Sequence, residues 1–311
     1  MALNIFLLCI GIGLLYLGSE WMVNGSASLA ISFSIRPVII GMTIVAFATS
    51  APELLVSLIA AVKGSSGVSL GNILGSNVAN IGLVLGTSAL VKPLKADKQL
   101  ARKEIPFMIG VSGLFWLLCI DGRLGRIDGA ILFAGLILFL TLGLMKVRGK
   151  KTKNKAPTRA RKKTIRHIFL ILIGMIGLVA GANMMVNSAI FIARQLNLNE
   201  IFIGLSIVAI GTSLPELATS VVAGARGESD ISIGNVVGSN IFNICMVMGT
   251  VGIFNPMSVD MSVLKFEFPA MLMLSMIFFI FTRTGLILTR LEGAFFILCF
   301  FSFIGISYWL N

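Results

Sequence analysis

Charged side chains are scarce in this chain. Asp, Glu, Lys and Arg together make up 12% of its 311 residues, whereas 57% of the residues are hydrophobic and the mean hydropathy is +0.98. A soluble protein needs a more polar surface, so this composition excludes an ordinary globular domain. It is typical of a protein whose surroundings are mostly lipid.

Cysteine and histidine are also rare. The four cysteines, Cys9, Cys119, Cys245 and Cys299, lie in apolar stretches without Cys-x-x-Cys spacing, and the single histidine, His167, ends a basic segment. A disulfide framework or a zinc site needs clustered thiols or imidazoles, so this pattern argues against both. We interpret the cysteines as packing residues and assign no role to the histidine.

Long apolar stretches are abundant, and most approach the ~20 residues that a bilayer span requires. There are ten, near residues 3–22, 37–62, 68–92, 105–121, 127–147, 167–193, 200–225, 231–254, 266–283 and 291–310. The sequence therefore predicts an all-α polytopic membrane protein with ten transmembrane helices.

The net charge of +12 is concentrated in one segment rather than spread as in a nucleic-acid-binding protein. Eleven of the 25 Lys and Arg residues fall between Lys146 and Arg166. With ten spans, the face that holds this segment carries 20 basic residues and the other face carries five. The positive-inside rule places the segment in the cytoplasm and both termini outside the cell membrane. We expect anionic lipid headgroups as its partner, with no nucleic acid and no obligatory protein partner.

The chain also contains an internal repeat. Shifted by 163 positions, residues 18–93 align with residues 181–256 without a gap, and 31 of the 76 pairs are identical. Ala-Thr-Ser-Ala-Pro-Glu at 48–53 matches Gly-Thr-Ser-Leu-Pro-Glu at 211–216, and Gly-Asn-Ile-Leu-Gly-Ser-Asn-Val-Ala-Asn at 71–80 matches Gly-Asn-Val-Val-Gly-Ser-Asn-Ile-Phe-Asn at 234–243. Polar patches duplicated inside apolar runs are typical of membrane transporters.

Topology gives the repeat its orientation. Each half holds five spans, and an odd number makes the second half enter the membrane from the opposite side, which predicts two inverted five-helix repeats. We expect a first repeat at residues 1–147, a basic cytoplasmic linker at 148–166 and a second repeat at 167–311. Equivalent polar residues can then meet near the middle of the bilayer.

Glu53 and Glu216 are the acids that this symmetry would bring together. An ionised carboxylate within a span costs about 2.5 kcal/mol or more. Two carboxylates ~5 Å apart also repel by roughly 3 kcal/mol at an effective dielectric constant of about 20. Neither glutamate has a Lys or Arg predicted at its depth, so we expect the pair to bind a cation or a proton. Glu20 matches Asn183 in the other copy, and we expect it to lie at headgroup level or cap a helix.

The polar residues near these acids offer oxygen ligands. They are Thr49, Thr212, Ser50, Ser213, Ser76, Ser239, Asn80 and Asn243. Oxygen donors suit Ca²⁺ and Na⁺, whereas transition metals favour imidazole or thiolate.

Prolines precede both acids. Pro52 and Pro215 remove amide donors from the carbonyl groups of Ala48 and Gly211, so each helix should break there and line a cavity. For Asn72, Asn77, Asn235 and Asn240, both hydrogen bonding between helices and ion contact stay open. The glycines at 71, 75, 234 and 238 favour close helix packing.

The doubled T-S-x-P-E and G-N-x-x-G-S-N-x-x-N motifs resemble the alpha repeats of the cation/calcium exchanger superfamily, particularly its prokaryotic sodium/calcium exchangers. The resemblance covers essentially the whole chain. It implies a ten-helix inverted-repeat fold in which inward movement of Na⁺ drives Ca²⁺ outward through one alternately exposed site.

The resemblance also implies roles for single residues. Glu53 and Glu216 resemble the acidic Ca²⁺ ligands that are shared with Na⁺, and Thr49 and Thr212 contribute to the Ca²⁺ site. The backbone carbonyl ligands of the family fall at Ala46 and Ala209. Ser50, Ser213, Ser76 and Ser239 complete the flanking Na⁺ sites, and Asn80 and Asn243 form the central pair. One departure is Ala48, which replaces the usual glycine.

Further expectations about transport follow from the resemblance. Asn243 stands where potassium-dependent members carry Asp, which favours K⁺ independence. With the family's ratio of three Na⁺ to one Ca²⁺, exchange is electrogenic, because two carboxylates neutralise one Ca²⁺ but leave a surplus charge with three Na⁺. No enzyme activity and no cofactor are expected, since Ca²⁺ and Na⁺ are the cargo.

Three alternatives stay open. A proton-coupled calcium antiporter has the same fold, although further acids would be expected near its site. A passive cation channel could use the same oxygen ligands, but usually around an open pore. A membrane scaffold or receptor leaves the duplicated acids unexplained.

Overall fold

The computed structural model describes residues 2–33, 35–148, 159–195 and 209–310, and these residues are almost entirely helical. The α-helices are α1 (Ala2–Phe33), α2 (Pro37–Ile40), α3 (Ala46–Thr49), α4 (Ala51–Val62), α5 (Ser66–Ala79), α6 (Gly86–Val91), α7 (Ile105–Leu118), α8 (Arg126–Arg148), α9 (Arg159–Gln195), α10 (Ala209–Thr212), α11 (Leu214–Arg226), α12 (Ser229–Phe242), α13 (Gly249–Phe254), α14 (Met261–Lys265), α15 (Glu267–Gly285) and α16 (Arg290–Leu310). Four π-helical segments connect some of them: π1 (Gly41–Val45), π2 (Asn80–Leu85), π3 (Leu100–Glu104) and π4 (Asn243–Met248). The strands are β1 (Leu94–Lys95), β2 (Arg123–Leu124), β3 (Met257–Ser258) and β4 (Ile287–Leu288).

The described residues contain seven helices that are long and apolar enough to cross a membrane, or eight when the bent segment formed by α2 to α4 counts as one span. This finding confirms a multi-pass helical protein. Two of the ten predicted stretches do not give a candidate span here. Helix α7 has 14 residues, and π3, which continues it at its N-terminal end, carries Arg102, Lys103 and Glu104. The first part of the 200–225 stretch lies outside the described residues. The number ten therefore stays a prediction.

Burial separates two central helices from more exposed ones, of which the spans in α8 and α16 are the least buried, at 22% and 17%. The continuous helices Ser66–Val91 and Ser229–Phe254, which carry the second polar motif of each repeat, are 78% and 89% buried. The corresponding spans in α1 and α9 are only 28% and 33% buried. The two motif-bearing helices thus form the centre of the molecule, and α1 and α9 lie at its edge.

Glycines hold α1 against α9. A Cβ atom added at Gly11, Gly18 or Gly25 would lie 2.8 Å from a backbone oxygen of α9. Gly174 and Gly181 make the reciprocal approach, where an added Cβ would lie 2.7 Å from a backbone oxygen of α1. Only residues without a side chain allow backbones to come this close, as in other packed membrane helices.

The two halves of the chain exchange equivalent contacts beyond the region where the repeat is visible. Gly129 of α8 packs against Gly249 of α13, and Gly293 of α16 packs against Gly86 of α6. Each strand of one half also pairs with a strand of the other, as β1 with β4 and β2 with β3. Helix α8 therefore lies on the second half, and α16 lies on the first half.

Two sequence predictions of helix length were wrong. Helix α1 does not end near residue 22 but continues to Phe33, so Glu20 lies inside it and forms a salt bridge with Arg226 of α11 instead of capping a helix. Helix α9 begins at Arg159, so residues 159–166 of the predicted linker are helical. Residues 149–158 of that linker lie outside the described residues.

Candidate functional site

Both proline motifs interrupt a helix, as the sequence predicts. Helix α3 ends at Thr49, Ser50 leaves helical geometry with φ −82° and ψ 3°, and α4 begins with Pro52 in its first turn. The segments on either side differ in direction by 44°. Ser213 has nearly the same geometry, φ −89° and ψ 6°, between α10 and α11. A proline is tolerated in the first turn of a helix, where its missing N–H would lack a partner anyway.

The breaks place Glu53 and Glu216 in the first turns of α4 and α11, where each is 0% exposed. Ser50 directly precedes α4, which carries Glu53, and its Oγ donates to Glu216 Oε1 of the other half at 3.5 Å. Among the described residues, neither glutamate forms a salt bridge with a Lys or Arg. The acids from the two copies thus share one buried environment.

The threonines next to the breaks reach across to the opposite repeat. The hydroxyl group of Thr49 donates to Asn235 Oδ1 at 3.2 Å and lies 3.4 Å from Ser239 Oγ. Thr212 Oγ1 donates to Asn72 Oδ1 at 3.4 Å, which is the equivalent contact with the copies exchanged. The Thr-Ser-x-Pro-Glu motif of one half therefore meets the Gly-Asn motif of the other.

Asn80 and Asn243 begin the π-helical segments π2 and π4 and are 0% exposed. The extra residue in a π-helical turn changes the direction of its side chains, and such turns often occur at functional sites. Within the described part of the chain, the side-chain oxygens of both asparagines have no hydrogen-bond partner. Ser76 Oγ, Ser213 Oγ, both oxygens of Glu53 and Glu216 Oε2 share this property. Buried polar atoms are normally paired, and unpaired carboxylate, hydroxyl and amide oxygens are of the type that binds a hard cation.

The predicted backbone ligands are the carbonyl groups of Ala46 and Ala209, and the structure gives contacts for Ala46 only. The carbonyl oxygen of Ala46 accepts hydrogen bonds from the amide of Ser50 at 2.9 Å and from Thr49 Oγ1 at 3.3 Å. Ala209 is the first residue of α10, and no contact of its side chain is described.

The structure explains why the second copy has a glycine at position 211 where the first copy has Ala48. A Cβ atom at Gly211 would lie 2.3 Å from Val186 Cγ2 of α9. This spacing leaves no room for a side chain in the second copy, whereas Ala48 is accommodated in a buried apolar cluster.

The second polar motif contains residues that bind other parts of the protein. Asn72 Nδ2 donates to Ser57 Oγ at 2.9 Å, and Asn235 Nδ2 makes the equivalent bond to Ser220 Oγ at 3.0 Å. Gly234 and Gly238 of α12 pack against α2 and π1, where an added Cβ would lie 2.8 and 2.5 Å from backbone oxygens. The packing interpretation is confirmed for these two glycines but is wrong for Gly71 and Gly75, where no atom of another helix is described within 4 Å of an added Cβ. The hydrogen-bonded role of Ser57 and Ser220 could have been found from their matched positions in the repeat.

The arrangement offers oxygen atoms almost exclusively. Several predicted residues make hydrogen-bonding contacts between the two halves, namely Thr49, Ser50, Thr212, Glu216, Ser239, Asn80 and Asn243. Among the described residues, no group of three or more His, Cys, Asp or Glu could hold a metal. A soft transition metal is disfavoured, and a hard cation coordinated by two carboxylates with hydroxyl and amide oxygens is favoured.

Comparisons with known proteins give a consistent result. A family model described as sodium/calcium exchanger protein matches residues 3–145 and 166–309. The putative antiporter CaxA of Alkalimonas amylolytica is 39% identical over 83% of this chain and 82% of its own length. The sodium/calcium exchanger MaX1 of Methanosarcina acetivorans is 29% identical over the full length of both chains. A solved structure of the sodium-calcium exchanger NCX_Mj, soaked with Na⁺ and Sr²⁺, has a TM-score of 0.87 and 32% identity and covers 98% of each chain.

Proposed function

Because the chain belongs to the sodium/calcium exchanger family, we propose that it is an antiporter that exchanges Na⁺ for Ca²⁺ across the cell membrane by alternating access. One observation carries the proposal. Glu53 and Glu216, which come from opposite halves, are fully buried, Ser50 next to the helix of Glu53 donates to Glu216, and none of the described basic residues pairs with either acid. A transported cation would offset their repulsion.

The proposed architecture is ten transmembrane helices in two inverted five-helix repeats, residues 1–147 and 167–311, joined by the basic linker at 148–166. The exchanged contacts support it. Gly129 of the first half packs against Gly249 of the second, and Gly293 of the second half packs against Gly86 of the first. The two contacts are equivalent, with the halves exchanged. Such reciprocity is expected when a two-fold axis lies in the membrane plane.

In the proposed site, Ca²⁺ binds between the two glutamates, with Thr49, Thr212 and the carbonyl groups of Ala46 and Ala209 as further ligands. Na⁺ uses the glutamates and the flanking oxygens. These are provided by Ser50, Ser213, Ser76, Ser239, Asn80 and Asn243. The buried, unpaired oxygens of Ser76, Ser213, Asn80 and Asn243 support this assignment.

We further propose that exchange is electrogenic and independent of K⁺. Two carboxylates balance one Ca²⁺, and three Na⁺ in the same place carry one surplus positive charge. Asn243 is neutral, so the central pair adds no carboxylate that would call for an additional cation.

The proposed orientation has the linker in the cytoplasm and both termini outside, with anionic lipid headgroups near residues 146–166. Two basic residues bind backbone carbonyl groups of neighbouring connections, which supports placing the connections near residues 92, 226 and 290 on one face. Lys92 Nζ donates to the carbonyl oxygen of Ala225 at 3.5 Å, and Arg290 Nη2 donates to that of Val91 at 3.4 Å. Positively charged connections are retained in the cytoplasm.

A proton is the second candidate for the counter-ion, because protons also neutralise carboxylates. The relative CaxA is named only a putative antiporter, and that name does not specify its counter-ion.

Uptake of calcium-45 into proteoliposomes separates these functions. We expect rapid uptake when the vesicles contain Na⁺ and little uptake when they contain choline. A pH gradient without Na⁺ should not drive uptake. A potential that is negative inside should slow uptake by an electrogenic exchanger that sends three Na⁺ outward, and added K⁺ should not change the rate of uptake. Uptake that follows the pH gradient alone would contradict the Na⁺ proposal and favour protons. Uptake that needs no counter-ion would favour a channel.

A further inference from the structure

Asn77 and Asn240 form hydrogen bonds to the central asparagine pair that cross between the halves. Asn80 Nδ2 donates to Asn240 Oδ1 at 3.0 Å, and Asn243 Nδ2 donates to Asn77 Oδ1 at 3.1 Å. All four side chains are at most 2% exposed. Each repeat therefore binds the amide nitrogen of the other repeat's central asparagine.

A methionine faces the other end of each supporting amide. Asn77 Nδ2 donates to Met271 Sδ at 3.6 Å, and Asn240 Nδ2 donates to Met108 Sδ at 3.7 Å. Asn240 Nδ2 also donates to the carbonyl oxygen of Asn77 at 3.4 Å. A thioether sulfur accepts a hydrogen bond but cannot donate one. The nitrogen of each supporting amide therefore points towards its methionine, and the oxygen points towards the central asparagine.

The orientation of the supporting amides fixes the orientation of the amides of Asn80 and Asn243. Because Asn240 and Asn77 present oxygens, Asn80 and Asn243 must present their nitrogens to them. Their own Oδ1 atoms then point the other way, and these are the buried oxygens that no described residue pairs. A flipped amide would turn an N–H group towards the cation and remove a ligand.

We propose that Asn77 and Asn240 are positioning residues, which hold the amide oxygens of Asn80 and Asn243 in the orientation that coordinates the transported cation. The proposal rests on the function proposed above, in that the site binds cations. It differs from simple adhesion between helices, because it predicts that each supporting residue acts through one partner on the opposite repeat. Asn240 acts through Asn80, and Asn77 acts through Asn243.

A crossed set of double variants tests the partner assignment. Asn240→Leu removes the acceptor at similar volume. Loss of one buried hydrogen bond lowers affinity by up to about tenfold. We therefore expect a roughly three- to tenfold rise in the Ca²⁺ KM, with a smaller change in maximal rate. On an Asn80→Ala background, Asn240→Leu should add no further effect, whereas Asn77→Leu should keep its full effect. The Asn243→Ala background should give the reverse pattern. Ser88→Ala is the matched control, since the Ser88 side chain is buried and, among the described residues, its hydroxyl group bonds only to the carbonyl oxygen of Val84, one turn earlier.

Equilibrium Ca²⁺ binding to the purified variants provides a second readout, which does not depend on the counter-ion. The crossed pattern in binding supports the positioning role even if uptake by the wild type proves independent of Na⁺. Equal effects of Asn240→Leu on both alanine backgrounds would overturn it, as would an unchanged Ca²⁺ affinity in folded Asn240→Leu and Asn77→Leu protein. A wild-type protein that binds neither Ca²⁺ nor Na⁺ would overturn the positioning role and the proposed function together.

Discussion

The close packing of α1 on α9 predicts that one added methyl group at Gly18 destabilises the protein. A Cβ at Gly18 would lie 2.8 Å from both Gly174 O and Leu178 N, whereas ordinary contact begins at 3.4 Å. Both obstacles are backbone atoms that cannot rotate away, so Gly18→Ala requires the helices to separate by about 0.6 Å. Gly11 and Gly25 make similar contacts one step of seven residues to either side, so the separation would loosen these contacts too.

The size of the effect follows from two opposing contributions. Overpacking of this kind typically costs about 1–3 kcal/mol. Replacing Gly by Ala within a helix gains about 1 kcal/mol. Gly13 lies on the same helix, and no described atom comes within 4 Å of a Cβ placed there, so Gly13→Ala reports the helical gain alone. The difference between the two variants should therefore equal the packing cost, about 1–3 kcal/mol.

Thermal unfolding of the two purified variants in the same detergent measures this difference, with loss of the monodisperse elution peak as the signal. We expect Gly13→Ala to unfold at or above the wild-type temperature and Gly18→Ala to unfold below it. Equal unfolding temperatures for the two variants, or a higher temperature for Gly18→Ala, would refute the reasoning.

Three further predictions concern regions away from the ion site. Gly122 and Leu286 both have positive φ, 82° and 53°, a conformation that costs about 1 kcal/mol for a residue with a side chain. In thermal melting, Gly122→Ala should therefore lower the free energy of unfolding by about 1 kcal/mol, and Leu286→Gly should raise it by a similar amount. Glu20→Gln should weaken the salt bridge that joins α1 to Arg226 and increase hydrogen exchange in α1, and unchanged exchange would show that this bridge does not hold the helix. A cysteine introduced into the 148–166 linker should react with an impermeant maleimide only after cells are opened, and labelling of intact cells would reverse the proposed orientation.

The acids and the helix breaks could be predicted from the sequence because each depends on residues that are close together in the chain. Pro52 removes a donor from its own helix, and a carboxylate such as Glu53 within an apolar run needs a partner in any fold. Their duplication at Pro215 and Glu216 adds independent support for the interpretation. Local chemistry and the repeat were sufficient to locate the candidate site.

Features that depend on contacts between distant segments could not be predicted in this way. The first apolar stretch ends near residue 22, yet α1 continues to Phe33, and Arg226 of α11 binds Asn24 and Glu20 on the part of the helix around that point. The amide orientation of Asn80 depends on Asn240 and, through it, on Met108 of a third helix. No local pattern contains this information, since it arises when the two halves pack together.

Na⁺-driven calcium-45 uptake by Glu53→Gln and Glu216→Gln, each reconstituted beside the wild type, tests the central claim most directly. Glutamine keeps the shape of the side chain and removes the charge that balances Ca²⁺. Each single substitution should lower uptake by at least about a hundredfold while the protein still elutes as a folded species. Substantial Na⁺-dependent uptake by either folded variant would contradict a transport site shared by the two glutamates.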